Sequence, residues 1–119
     1  MSFLEAMEYG YTNQKYYPTH TKEKKKLTVV VRVFAKANGR GLIKSELTKL
    51  IESMGKEKGC ISCNLYQDSQ NDNLFLLIEN WENKDLWQKH MNNKHMKSYM
   101  KATSGAIKEF TINELFHIV

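Results

Sequence analysis

The stretch FLLIENWENKDLWQKHMNNKHMKSY, Phe75–Tyr99, decides how this chain folds. With Leu74 in front of it, LFLLIENW is an apolar run of strand length, and its near-continuous hydrophobicity suits a central position in a sheet. Asn83 follows, a residue whose side-chain oxygen can accept from the first free backbone N–H groups of a helix, here expected from Lys84 to about Met91. On that helix Leu86, Trp87, His90 and Met91 share one face. Asn92-Asn93 breaks it, and a second helical run continues from Lys94 to about Thr103, with His95 four residues before Tyr99. One strand and two short helices therefore hold both tryptophans and two of the four histidines.

Outward from this stretch the pattern is regular. LTVVVRVFAK, from Leu27, is rich in β-branched residues and reads as a strand with a face on each side, interrupted only by Arg32. Asn38-Gly39-Arg40-Gly41 is a turn, after which Leu42, Ile43, Leu47, Leu50, Ile51 and Met54 recur at helical steps. Gly55 and Gly59 bracket the helix end, where left-handed backbone is expected. CISCNLYQ is a second strand, DSQNDN a hairpin loop, and IKEFTINELFHIV a last strand. The order is strand, helix, strand, strand, helix, strand. It predicts an α+β, ferredoxin-like split βαββαβ domain with a four-stranded antiparallel sheet and its helices on one side. The strands carry apolar residues on both faces, so a second copy is expected to cover the side the helices leave open, giving a homodimer.

A chain of 119 residues makes one domain, placed at 27–119. Residues 1–26 have no helical or strand period, carry the only proline and end in KEKKK. They read as an extension, disordered or draped over a partner through Tyr9, Tyr11, Tyr16 and Tyr17. No run is long and apolar enough for a membrane span and the N-terminus lacks a secretory pattern, so a cytoplasmic protein is expected. The net charge of +5 comes from lysines mostly alternating with acids and amides, a solvated pattern rather than a nucleic-acid face. Cys60 and Cys63 are three apart on an expected strand, which would point them to opposite faces as two separate reduced thiols. No second cysteine pair completes a zinc site.

The opening VVVRVFAK strand, KEKGCISCNLYQD, and FLLIENWENKDLWQKHMNNKHMKSY with Glu79, Trp81, His90, His95 and Tyr99 together resemble the antibiotic biosynthesis monooxygenase (ABM) family, in particular its quinol monooxygenase-like branch. The resemblance runs from about Leu27 to Leu115. It implies a dimeric α/β barrel and oxidation of a quinol or small polyphenol by O2 without metal or flavin. Two departures stand out: Leu77 and Trp87 occupy positions where the polyphenol-oxidising members have asparagine and tyrosine. The heme-degrading members have an asparagine on the first strand, which LTVVVRVFAK lacks, and His90 lies one step off their ligand spacing.

Oxidising a phenol directly with O2 needs a flat apolar slot, a base of near-neutral pKa, and a donor for the oxyanion. His90 and His95 are the candidate bases or orienting groups, since imidazole titrates near neutrality. Trp81 and Trp87 are candidate stacking walls, and Met91 and Tyr99 candidate lining. Glu79 within an apolar strand needs a partner, for which Arg32 is the candidate. Each also has a plainer reading: the indoles as core, the imidazoles as helix-end hydrogen bonders, and Glu79–Arg32 as a structural pair. Three functions stay open: a cofactor-independent oxygenase, a heme-binding or heme-degrading protein, and a non-catalytic dimeric binding module.

Overall fold

Alternation of burial along LTVVVRVFA sets the sheet. In strand β1 (Leu27–Ala35) the side chains of Leu27, Val29, Val31, Val33 and Ala35 are buried, while Arg32 is exposed on the other face. The computed structural model describes residues 25–119. The expected extension, except Lys25 and Lys26, lies outside the described residues, as do its four tyrosines.

Helix α1 (Arg40–Met54) turns Ile43, Leu47, Leu50 and Met54 into the core. It begins at Arg40, so Gly41, expected in the turn, is helical. Strands β2 (Cys60–Gln67) and β3 (Leu74–Trp81) form a hairpin. Helices α2 (Lys84–Met91) and α3 (Lys94–Thr103) follow, and β4 (Ile107–Leu115) closes the sheet. The last strand stops at Leu115, and Phe116–Val119 runs on outside it. The strand order is β2-β3-β1-β4, with every pairing antiparallel. This is the expected ferredoxin-like βαββαβ order, its second helix split in two.

The split is written in two asparagines. Asn83 Oδ1 accepts from the Leu86 N–H at 3.0 Å, and Asn93 Oδ1 from the Met96 N–H at 2.9 Å. Each satisfies a donor that its helix start leaves free. Gly59 is the only described glycine with positive φ, at 92°; Gly55 stays right-handed at φ −60°. A side chain at Gly59 would also strike Leu86, 2.5 Å from its Cδ1.

Register fixes which residues share the helical face. Val29, Val31 and Val33 pair with Glu79, Leu77 and Phe75, and Val31 and Val33 also pair with Ile112 and Phe110. Two sequence expectations fail here. Arg32 pairs with Leu76 on the opposite face, so it cannot reach Glu79 through the sheet. Cys60 and Cys63 do not point apart: a bulge between Cys60 and Ser62 makes Ile61 the extra residue, so Cys60 faces Trp81 and Cys63 faces Glu79.

The face away from the helices is mixed. Val30, Phe34, Leu76 and Ile78 are half-buried beside the polar Thr28–Asn80–Ser62 chain, in which Thr28 Oγ1 lies 2.7 Å from Asn80 Oδ1 and Asn80 Nδ2 donates to Ser62 Oγ at 3.0 Å. Among the described residues no helix is long and apolar enough to cross a membrane.

Candidate functional site

The C-terminal end of β3 presents Glu79 and Trp81 to the helices, both buried. They are two residues apart on one strand and therefore on one face, which lets the Trp81 Nε1–H donate to Glu79 Oε1 at 2.9 Å. The Asn83 cap starts α2 immediately afterwards, and the helix carries His90 back over the strand end. The imidazole and the Trp81 ring lie with centroids 5.0 Å apart, tilted by 32°.

Behind His90 sits a residue the sequence reading did not single out. Glu57, in the loop after α1, places Oε2 2.8 Å from His90 Nδ1. Asn93 Nδ2 donates to Glu57 Oε1 at 2.7 Å, so the amide that caps α3 also steadies the carboxylate. His90 Nε2 is buried without a hydrogen-bond partner. An acceptor fixed at Nδ1 selects the ring orientation and frees the other nitrogen for a ligand or proton. The row runs Asn93, Glu57, His90, Trp81, Glu79. Nothing local in the sequence joins Glu57 to His90, 33 residues away; the loop between Gly55 and Gly59 does so.

Burial pushes the Glu79 carboxyl up to about 7. His90 and the Trp81 N–H draw it down, and Glu57 adds a smaller upward push. Desolvation of the charged form is thus the main cause, and it outweighs both favourable contacts. The same effect holds the Tyr99 phenol well above its ordinary value, so it remains a donor.

Glu79 lines a small cavity between sheet and helices, with Trp87, Met91, Met96, Tyr99 and Leu50 among its other walls. Its volume is ≈ 10 Å³, about what one water needs, whereas a cavity that takes up benzene measures roughly 150 Å³. The cavity is narrowed by its own side chains, and Met91 and Met96 are the adaptable ones among them. Trp81 and His90 are not on its surface; they stand behind Glu79.

Six of the eight sequence candidates, Glu79, Trp81, Trp87, His90, Met91 and Tyr99, are buried between the sheet and the helices. His95 is exposed in the first turn of α3, and Arg32 is exposed on the other sheet face. No cluster of three or more metal-binding side chains occurs among the described residues. Among the described residues the buried, unpartnered imidazole nitrogen, His90 Nε2, does not open onto this cavity.

A family model for antibiotic biosynthesis monooxygenase matches residues 26–102. The chain belongs to that family. Solved structures share this fold over about four-fifths of the chain. A Pseudomonas aeruginosa protein superposes with a TM-score of 0.76 at 23% identity, covering 80% of this chain and 96% of its own. A structure described as an antibiotic biosynthesis monooxygenase gives 0.74 at 18%, covering 78% and 99%. A conserved protein from Methanosarcina mazei gives 0.72 at 26%, covering 78% and 93%. A comparison with curated proteins finds no match. These neighbours are distant enough to speak for the fold; the chemistry has to be argued from this ABM chain's own residues.

Proposed function

We propose that this ABM protein is a cofactor-independent monooxygenase acting on a quinol or similar small electron-rich phenol, with Glu79 as the group that takes the phenolic proton. The observation that carries the reading is a carboxyl on the wall of an apolar cavity, ionising near neutrality and backed by the row Trp81, His90, Glu57. A base whose pKa lies near the working pH both accepts and returns a proton efficiently. The phenolate so formed reduces O2 directly. One oxygen atom enters the ring and the other leaves as water, so a hydroquinone and O2 give a hydroxyquinone and water. Trp87 and Tyr99 supply a stacking wall and a phenolic donor to steady the oxyanion. His90, oriented by Glu57, balances the charge that develops on Glu79. Trp81 holds the carboxylate through its Nε1–H. His95 and Arg32 lie away from this cavity and take no part in it.

Substrate entry requires the Met91 and Met96 side chains to swing aside, because the resting cavity is smaller than any aromatic ring. The half-buried apolar strip Val30, Phe34, Leu76 and Ile78 is the surface we assign to a second copy, with residues 1–26 as an extension outside the 27–119 domain. Oxygen uptake with a panel of hydroquinones tests the activity. Turnover above buffer, reduced on the order of 10²–10⁴-fold in Glu79→Gln and more modestly in His90→Ala, is expected. No turnover in the native chain rejects it. The small cavity favours one other reading, a non-catalytic dimeric module, and that same negative result would leave it standing.

A further inference from the structure

The bulge in β2 creates a second arrangement that the proposed reaction does not use. Residues three apart on a regular strand diverge, but Ile61 absorbs one position, so Cys60 and Cys63 stand opposite Trp81 and Glu79, two alternate residues of β3. Both cysteines are free and half-buried, and each lies close enough to bear on the other's ionisation. Cys63 also places Sγ 4.0 Å from the Ile51 carbonyl oxygen of α1.

The surroundings choose what such a pair can become. Burial, and the Glu79 and Glu57 carboxylates beside them, oppose a negative charge on either sulfur. Any product that leaves a thiolate is therefore disfavoured, and one that removes both protons and stays neutral is not. Among the described residues no third metal ligand joins them, which leaves tetrahedral zinc without a site. A disulfide is neutral and needs no further ligand. Because Cys60 and Cys63 oppose residues two apart on β3, ideal strand rise would set their Cα atoms ~6.8 Å apart, at the outer limit that a disulfide spans. A bridge made there is strained, and strained bridges are the easily reduced, labile ones.

We propose that Cys60 and Cys63 form a reversible intramolecular disulfide, an oxidation site on β2 directly across from Glu79 and Trp81. With a small-molecule disulfide as oxidant the step balances by two exchanges. One cysteine sulfur attacks and releases the first small thiol, and the other resolves the mixed disulfide and releases the second. Two S–H bonds and one S–S bond break, and one new S–S bond and two small thiols form.

The full chain is equilibrated anaerobically in glutathione buffers of increasing oxidised share, acid-quenched, alkylated and mapped by mass spectrometry. The expected result is a Cys60–Cys63 linkage with the loss of two hydrogens, present at high oxidised share and fully reversed by dithiothreitol. Cys60→Ser should abolish it while leaving the circular dichroism spectrum unchanged. Phenylarsine oxide, which bridges paired thiols, should block alkylation of both cysteines in the native chain, a check that needs no variant. Stable glutathione adducts, linkage between molecules, or free thiols at every ratio would each overturn the proposal. So would arsenical binding without any disulfide. Because the readout is covalent, oxygenase inactivity would leave this test intact.

Discussion

Replacing Glu79 by glutamine should make the protein more stable at neutral and alkaline pH, and should do so in a pH-dependent way. Glu79 is buried, and its carboxyl is raised from an ordinary 4.5 to about 7. Between those values the folded chain holds a proton that the unfolded chain has lost. Stability therefore falls as pH rises through this window, the reverse of the behaviour of a salt-bridged carboxylate. At ~1.4 kcal/mol per pH unit, the full loss above pH 7 is about 3 kcal/mol. Glutamine cannot ionise, and its side-chain oxygen can still accept from Trp81 Nε1. The variant should match the native chain near pH 4.5 and pull ahead by up to about 3 kcal/mol by pH 8. Urea unfolding at one fixed protein concentration, in half-unit steps from pH 4.5 to 8, measures this as the difference between the two chains. Taking the difference cancels the groups that titrate alike in both chains. If the difference is flat with pH, or if glutamine is the less stable at pH 8, then Glu79 is ionised comfortably in the fold and the case for it as a near-neutral base fails with it. A stabilised variant that has also lost turnover is the combination expected of a carboxyl kept buried for its chemistry at a cost to the fold.

The two asparagine caps should separate in size. Asn83→Ala removes one capping bond and should cost about 1 kcal/mol, whereas Asn93→Ala also leaves Glu57 without its amide donor and should cost more in the same denaturation assay. Gly59→Ala should destabilise by about 1–3 kcal/mol for its positive φ, and trimming Leu86 to alanine in the same chain should recover the part due to the clash but not the part due to the backbone. Ile78→Lys, on the sheet face away from the helices, should convert a dimer to a monomer by light scattering with an unchanged circular dichroism spectrum; a native chain that is already monomeric would remove the case for a covered face.

What the sequence made legible, and what it hid, divides along the range of the interaction. Asn83 and Asn93 announce the two helix starts because a cap acts within three residues, and the Trp87–His90–Met91 stripe follows from helical period alone. Strand parity was harder. In LTVVVRVFAK both faces are apolar, so nothing local says whether Arg32 shares a side with Glu79; the pairing of Val29 with Glu79 decides it, and that is set by register across 50 residues. The bulge at Ile61 is less legible still, since it depends on how β2 must fit against β3 and has no residue signature in CISC. It reverses the reading of the cysteines outright. Glu57 shows the same limit at the site itself. In sequence it is one acid in KEKG, indistinguishable from a solvated charge. It matters only because Gly59, in positive φ, brings the loop against α2, with the Glu82 N–H donating to the Gly59 carbonyl at 2.8 Å. A functional reading built on the aromatic-rich helices alone would pick His90 as the group facing substrate. The fold puts Glu79 at the cavity and His90 behind it, so the chemistry is better sought in a buried carboxyl that an imidazole supports than in the imidazole itself.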